Sequence, residues 1–127
     1  MQQLGHTRSS HQPDHLLHTP DAFVRAPLPA MTNATAIVHI SPAQGAAFME
    51  YTAELQAGGT LGPVGEQRFV YVVDGELECG DHRLSANSYI YLPPGSDLRI
   101  RARGAARAIV IEKPYVELAG VEPPAQL

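Results

Sequence analysis

One strand-and-turn stretch decides the fold: Phe69-Val70-Tyr71-Val72-Val73-Asp74-Gly75-Glu76-Leu77. Its first five residues are all β-branched or aromatic, which predicts a buried strand. The Asp-Gly pair that follows suits a tight reversal, because glycine adopts positive φ at little cost. The chain then predicts a second hairpin, in which Glu76–Cys79 pairs with His82–Leu84 around Gly80-Asp81.

Similar strand patterns lie on both sides of this stretch. Short apolar or alternating runs predict further strands at Ala36–Ile40, Phe48–Leu55, Ser88–Leu92, Leu98–Ala102 and Ala108–Glu112. For Phe48–Leu55 an α-helix is the weaker alternative, since Tyr51 and Thr52 interrupt it. Ala57–Gly65 contains four glycines and a proline and predicts a loop. Many short strands joined by turns predict an all-β antiparallel barrel or sandwich.

Length and composition bound the class of protein. The 127 residues suffice for one domain, and 44% of them are hydrophobic. A formal net charge of −4 predicts no nucleic-acid partner, because such proteins carry basic patches. No apolar run approaches the ~20 residues of a membrane span, and the N-terminus lacks the pattern of a secretory signal. With a single cysteine, Cys79, these features predict a cytoplasmic protein without a disulfide framework and without a membrane partner.

The chain divides into three segments by composition. Residues 1–33 are rich in His, Pro, Ser and Thr and predict an extended N-terminal arm. Within the arm, Thr19-Pro20-Asp21 predicts a turn before a short strand near Ala22–Arg25. The barrel is expected to occupy residues 34–115, and residues 116–127 to form a linker or tail.

The two main turns resemble the sequence motifs of the cupin family. The opening stretch resembles the first motif, and Tyr91-Leu92-Pro93-Pro94-Gly95 resembles the second. Asn87 stands where the second motif usually begins with glycine, and asparagine is the next best residue at positive φ. The resemblance covers about Gly58–Ala102. It implies a single cupin barrel, also described as a double-stranded β-helix or jelly roll, with the extended arm at its N-terminus.

The resemblance also locates where a metal would bind. Cupins with a metal place two histidines and a glutamate before the motif glycine, and a third histidine after the second turn. Counted from Gly75 and Gly95, these positions are Gly62, Val64, Arg68 and Leu98, or Leu61 and Pro63 for the two histidines if the spacer is shorter. None of these side chains binds a divalent cation. The resemblance therefore implies degenerate metal positions, with no metal and no catalytic residue in this chain.

Arg68 is also the foremost candidate for ligand binding, together with Glu66 and Tyr71. If its guanidinium projects into the barrel, burial requires a partner. That partner is Glu66, Glu76 or another carboxylate, or else a small anionic ligand.

Further segments are similar to the N-terminal half of the two-cupin (S)-ureidoglycine aminohydrolase family. They are Leu4–Arg8, Thr19–Val24, Gln67–Phe69, Tyr89–Pro93 and Glu112–Tyr115, with Gly120-Val121 after them. This resemblance implies allantoin and purine catabolism, in which the family releases ammonia from ureidoglycine to give ureidoglycolate. It also implies manganese, held by a second cupin that would begin after residue 127. The chain would then be a non-catalytic first cupin that lacks its metal-bearing half and is inactive alone.

Three hypotheses about function remain open. As a first cupin, the chain would have a second cupin half in cis or in trans and would form a homo-oligomer, since the surface between the halves would be exposed. The alternative is a free-standing, metal-free cupin that binds a small anionic metabolite near Arg68. The third is an enzyme whose metal is held by the N-terminal histidines, although Pro13 there favours a polar arm without metal. Those histidines are His6, His11, His15 and His18, with Asp14 beside His15.

Other polar side chains have structural as well as functional explanations. His39 lies inside an apolar strand, where a histidine bonded to backbone is the alternative to a catalytic base. Cys79 has acidic neighbours, which favours a structural thiol over a reactive one. Either a carboxylate-binding stripe or the solvated face of an outer strand is formed by Arg99, Arg101, Arg103 and Arg107.

Overall fold

The computed structural model describes residues 7–116, 119–120 and 122, and these are almost entirely strands and turns. The all-β prediction is confirmed. Eleven strands follow one another: β1 Ser10–His11, β2 Leu16–Leu17, β3 Arg25–Ala26, β4 Met31–Ile40, β5 Met49–Leu61, β6 Gln67–Asp74, β7 Leu77–Cys79, β8 His82–Leu84, β9 Tyr89–Leu92, β10 Ile100–Ala102 and β11 Ala106–Lys113. Two single-turn 3₁₀ helices, Pro20–Ala22 and Pro42–Gln44, complete the elements of the described chain. Neither has the length or the apolar character needed to cross a membrane.

Strands β3 to β11 form one antiparallel sheet that rolls into the predicted barrel. Hydrogen-bonded neighbours run β8-β7-β10-β5-β11-β6-β9, with β4 beside β5 and β3 beside β4. The long strand β5 connects the two halves of the barrel. Its first part pairs with β11, whereas Thr60 and Leu61 near its end pair with β10.

Side chains that alternate along each strand fill the barrel interior. On β6, Val70 and Val72 are fully buried, and alternate residues of the neighbouring β11 are buried in the same way. Removing this apolar surface from water is the main contribution to stability, at roughly 25 cal/mol per Å². Among the described residues, two charged side chains also lie inside, Arg68 and Glu112.

The loop predicted at Ala57–Gly65 is wrong for its first half, because β5 continues to Leu61. The glycines there serve a bend and a close contact within a strand. Gly58 has a φ of +78°, and a Cβ on Gly59 would lie 2.5 Å from the carbonyl oxygen of Asn33. Strand glycines mark such bends and close approaches.

The other barrel strands are confirmed, with shifted ends. Because β5 begins at Met49, the helical alternative for Phe48–Leu55 is wrong. β10 begins at Ile100, two residues later than predicted, and β11 is longer than predicted at both ends. The residues added at the start of β11 continue its ladder with β5, whereas the register with β6 shifts between Arg107 and Ala108.

The described part of the arm contains little regular structure, namely three two-residue strands and one 3₁₀ turn. Its predicted Thr19-Pro20-Asp21 turn is confirmed as part of a 3₁₀ turn, and only β3 forms near Ala22–Arg25. β4 begins at Met31, inside the segment 1–33 assigned to the arm, because it pairs with most of β5. Several residues lie outside the described ones, namely 1–6 with His6, 117–118, 121 and 123–127.

The turn after β6 accepts only glycine. Gly75 has a φ of +81°, and a Cβ on it would lie 2.5 Å from the carbonyl oxygen of Ala105 and 2.9 Å from Ala106. Gly95, in the second motif turn, has a similar φ of +78°, but a Cβ on it would meet no other atom within 4 Å. A side chain at Gly95 would therefore meet only backbone strain, whereas one at Gly75 would meet both backbone strain and a steric clash.

Aromatic rings and one chain of hydrogen bonds hold the arm against β4. The ring of Phe23 lies 4.6 Å from that of His18 and 5.3 Å from that of His39. His39 Nδ1 lies 2.7 Å from His18 Nδ1, and His39 Nε2 lies 2.7 Å from the Thr52 hydroxyl. His18 Nε2 lies 3.3 Å from the carbonyl oxygen of Ala22. If both rings are neutral, one assignment of donors fits all three contacts, because the Ala22 carbonyl can only accept. Thr52 then donates to His39, His39 donates to His18, and His18 donates to Ala22.

Gly75→Ala is expected to lower the free energy of unfolding by about 3 kcal/mol, since it adds a steric clash to a strained φ. Gly95→Ala, which has the strain without the clash, should cost about 1 kcal/mol. Urea unfolding of both variants measures the difference. Equal losses would show that the close contact with Ala105 does not restrict the turn.

The contact between arm and barrel is expected to weaken in acid. Burial lowers the pKa of His39, and His18 lowers it further, while Glu50 acts in the opposite direction. A histidine with a lowered pKa stabilises the fold above its ordinary pKa of 6.5 and loses that contribution as the pH falls. The thermal midpoint should therefore drop more between about pH 7.5 and about pH 5.5 in the wild type than in His39→Gln. The exposed His82→Gln is the matched control, and a His39→Gln drop as large as the wild type's would refute the assignment.

Candidate functional site

Three of the four predicted metal positions lie together at one end of the barrel, here called the mouth. Val64, Arg68 and Leu98 line one small cavity there, with Glu66 at its border. Turn and strand-end residues complete the lining: Pro63, Leu92, Pro93 and Ser96. The cavity has a volume of about 10 Å³, which holds at most one water molecule. The mouth is therefore filled by the protein's own side chains.

The Arg68 guanidinium lines this mouth, and each of its three nitrogens contacts an acceptor from the protein. Its Nε and Nη2 lie 3.0 and 2.9 Å from Oε2 of Glu112, and its Nη1 donates to the carbonyl oxygen of Gly62 at 2.8 Å. The Tyr51 hydroxyl donates to the same Glu112 oxygen at 2.8 Å. Within the described part of the chain, no buried side-chain nitrogen or oxygen lacks a hydrogen-bond partner. We call Arg68, Glu112 and Tyr51 the buried triad.

Strand register brings the buried triad together. Arg68 on β6 stands directly opposite Glu112 on β11, next to the inward-facing pair Val70 and Val110. Because alternate residues of a strand share a face, both charged side chains point inward. Tyr51 enters from β5, the other neighbour of β11, where it stands opposite Val110. Three adjacent strands thus fix the geometry.

Burial makes this triad both costly and rigid. Removing a charge from water costs several kcal/mol per ion, which is offset only where geometry is good and every polar atom is bonded. Burial raises the pKa of the Tyr51 hydroxyl, and the Glu112 carboxylate raises it further, so Tyr51 remains a donor. Burial likewise raises the pKa of the Cys79 thiol, which makes that side chain a poor nucleophile.

The residues at the mouth do not fit a divalent metal ion. Val64 and Leu98 offer no donor atom, and the charge of Arg68 repels a cation. At Gly62 a Cβ would approach the carbonyl oxygen of Ala30 to 3.1 Å, so a histidine there requires that segment to move. In the described chain, no three His, Cys, Asp or Glu side chains are grouped so that they could hold a metal.

The predicted ligand-binding residues are only partly brought together. Glu66 borders the mouth with Arg68, but it is exposed. Tyr71 lies on the opposite face of β6, where it is 40% exposed and donates to Asn87 Oδ1 at 2.7 Å. Tyr71 therefore has no contact with the mouth.

The partner of Arg68 is a carboxylate, but neither Glu66 nor Glu76. Glu112 holds this role, and Tyr51 supports it. Strand alternation could have identified Glu112 from the sequence, because Glu112 shares the inward face of β11 with Ala108 and Val110. A charged residue on an otherwise buried face needs an ionic partner.

The arginine stripe is solvated surface. Arg103 Nε lies 3.3 Å from Glu78, and Arg107 Nη2 lies 2.7 Å from Asp74. All four arginines of the stripe, Arg99, Arg101, Arg103 and Arg107, are exposed.

The N-terminal histidines point to different partners. His15 Nδ1 contacts the Asp14 carboxylate at 2.7 Å on the surface, and His11 is exposed. His18 is turned towards His39. His39 is bonded to side chains, and the prediction of a backbone partner for it is wrong.

Comparisons with known proteins agree with this architecture. No protein-family model matches the chain. Over 126 residues it is 34% identical to a probable (S)-ureidoglycine aminohydrolase from Oryza sativa subsp. japonica, and the match covers 94% of this chain but 41% of that protein. The crystal structure of protein Ylba from Escherichia coli superposes with a TM-score of 0.83 at 26% identity, over 95% of this chain and 54% of that one. An RmlC-like cupin from Shewanella frigidimarina superposes with a TM-score of 0.65 at 16% identity, over 87% of this chain and 97% of that one, which shows the cupin fold.

Glu112→Gln is expected to lower the free energy of unfolding by about 3 kcal/mol, because it leaves the Arg68 charge buried without a counterion. Asp74→Asn is the matched control, since it removes one charge from the exposed Arg107 pair on the same two strands and should cost less than about 0.5 kcal/mol. Urea unfolding measures both. Similar small losses would show that the triad is not a buried ion pair.

Proposed function

Because this cupin-fold chain is similar over 94% of its length to 41% of an (S)-ureidoglycine aminohydrolase, we propose that it is the metal-free, non-catalytic N-terminal half of such a two-cupin protein. The observation that carries the proposal is the buried triad. It holds a guanidinium, with its own counterion, at the position that the cupin motif assigns to a metal-binding glutamate. The full-length relatives' activity therefore belongs to a part of the protein beyond this match.

The reaction itself explains why a metal-free half needs a partner. Release of ammonia from ureidoglycine requires water to attack the carbon that bears the amine, and a metal ion supplies the Lewis acid for such steps. Among the described residues, the mouth of this barrel has no grouped set of metal-binding side chains, and its cavity of about 10 Å³ has no space for a substrate. We assign no catalytic step to any residue of this chain, and expect manganese in the second half.

The chain's own residues suit a supporting role. The triad holds β5, β6 and β11 together at the mouth, and the arm covers part of the outer wall. Such a barrel is a rigid scaffold for a second half, supplied in cis or in trans. Purine catabolism in the cytoplasm is part of the same proposal, and the buried, unpaired Cys79 supports a reducing compartment.

The geometry argues against the alternative of an anion-binding cupin. Each Arg68 nitrogen already contacts Glu112 or Gly62, and the cavity beside them is about 10 Å³. An anion would have to displace Glu112, which is bonded to Tyr51 as well. No contact that the structure describes at the mouth supports a second function.

The purified chain is expected to release no ammonia from ureidoglycine above the uncatalysed rate, with or without added manganese. Calorimetric titration with ureidoglycolate is expected to show no saturable heat, because each Arg68 nitrogen already contacts Glu112 or Gly62 and the cavity beside them is about 10 Å³. A coupled ammonia assay makes the first measurement, with a full-length relative as the positive control.

Manganese-dependent ammonia release by this chain would contradict the proposal. Saturable binding of ureidoglycolate would favour the anion-binding alternative instead. A source genome without any coding sequence similar to the remaining part of the relatives would contradict the two-cupin assignment.

A further inference from the structure

An open cavity outside the mouth has no part in the proposed function. It lies between the arm strand β3 and the long strands β4 and β5, and it is here called the outer groove. Its volume of about 500 Å³ is in the size range of sites for small molecules. Its charged and polar lining comes from all three strands: Arg25 from β3, Asn33 and Thr35 from β4, and Glu54 and Gln56 from β5.

The backbone is distorted beside the outer groove. Between two paired positions of the ladder, Asn33 on β4 stands alone opposite residues 56–59 on β5. Asn33 has a φ of +46°, a left-handed conformation that few residues other than glycine adopt. Such conformations carry a cost and cluster at ligand sites, and bulges next to a site re-aim its side chains. The bulge brings the amides of Asn33 and Gln56 to one cavity.

The ion pair between Arg25 and Glu54 at this groove leaves hydrogen-bonding capacity unused. Arg25 Nε donates to Glu54 Oε1 at 2.5 Å, and within the described chain neither terminal nitrogen of Arg25 has a hydrogen-bond acceptor. The Arg25 side chain is 55% exposed, whereas that of Arg68 is 4% exposed and has an acceptor for each nitrogen. The outer groove therefore has what the mouth lacks, N–H donors beside a cavity.

The two charges of the pair select a ligand that carries both signs. A guanidinium binds a carboxylate through two parallel N–H bonds, and the Glu54 carboxylate accepts hydrogen bonds from an ammonium group. A simple anion would be repelled by Glu54 and a simple cation by Arg25. An α-amino acid has its carboxylate and its ammonium on one carbon, so the two groups are as close together as the contacting charges of Arg25 and Glu54.

The rest of the lining suits a short amide side chain on that ligand. The amides of Asn33 and Gln56 and the hydroxyl of Thr35 provide both donors and acceptors. Met31 and Leu55 add apolar surface for the carbon atoms. Asparagine, with one methylene and one amide, is the matching probe.

We propose that the outer groove binds an α-amino acid zwitterion with a polar side chain, its carboxylate on Arg25 and its ammonium on Glu54. The bound molecule connects the arm to the barrel wall, because Arg25 lies on β3 and Glu54 on β5. The site is separate from the mouth and does not depend on the proposed function.

Calorimetric titration of the full 127-residue chain with L-asparagine tests the proposal. We expect saturable heat below about 10 mM. No such heat is expected from succinamate, which is asparagine without its ammonium, or from β-alaninamide, which is asparagine without its carboxylate. Ureidoglycolate also has a carboxylate and no ammonium, so its expected lack of binding agrees with this selectivity.

Arg25→Gln and Glu54→Gln should each weaken asparagine binding roughly tenfold or more, because each removes a charge-assisted contact. Glu54→Gln should also bind succinamate, since the charge that repels it is gone. Arg103→Gln is the matched control: it breaks another exposed ion pair, with Glu78, outside the groove and should bind asparagine like the wild type. Exposed pairs contribute little to stability, and thermal unfolding checks that all three variants keep the fold.

A wild-type chain without saturable asparagine binding would overturn the proposal. Equal binding of asparagine and succinamate by the wild type would also overturn it, as would wild-type affinity for asparagine in folded Arg25→Gln. Ammonia release is measured separately and involves no residue of the outer groove, so a failure here is distinguishable from a failure of the proposed function.

Discussion

The contact between the Arg68 guanidinium and the Glu112 carboxylate is the constraint on which the rest of the site depends. Both side chains lie inside the barrel, and two guanidinium nitrogens approach one carboxylate oxygen at 2.9 and 3.0 Å. Neither charge is tolerable there alone, because water does not reach it. The positive charge of Arg68 repels a metal ion, and the Glu112 carboxylate neutralises that charge without any bound ligand. Together the two side chains leave a cavity of only about 10 Å³ at the mouth.

On the outer wall, the main question is which apolar side chains are covered by other parts of the chain. On one side the arm covers it, with Phe23 and His18 against His39. On the other side Tyr71 and its neighbours are left exposed. Side chains fill the barrel inside, and its outer wall carries apolar side chains on β6, β9 and β11 that remain exposed.

Much of the fold follows from the sequence because the deciding signals are local. The run before Gly75 forms a strand as its composition predicts, although only the alternate residues Val70 and Val72 are fully buried. Gly75 itself is required by both φ and space. Motif spacing also selects Val64 and Leu98, and the structure brings both to the cavity beside Arg68. Opposite faces for Arg68 and Tyr71 follow from simple alternation, since the two residues are an odd number apart, and this excludes Tyr71 from the mouth.

The rest depends on which distant strands are neighbours. Arg68 and Glu112 are 44 residues apart, and Tyr51 and Glu112 are 61 apart, so only strand register joins them. Gly58 and Gly59 predict a loop by composition, but Leu55 and Thr60 on either side of them pair with β4, so β5 continues through the two glycines.

Whether the buried triad replaces a metal is tested most directly by anomalous diffraction, near the manganese absorption edge, from crystals of the chain grown with manganese. We expect no anomalous peak at the mouth, and the Arg68 guanidinium within hydrogen-bond distance of Glu112. A peak beside Val64 and Leu98, with Arg68 turned away from Glu112, would contradict this assignment.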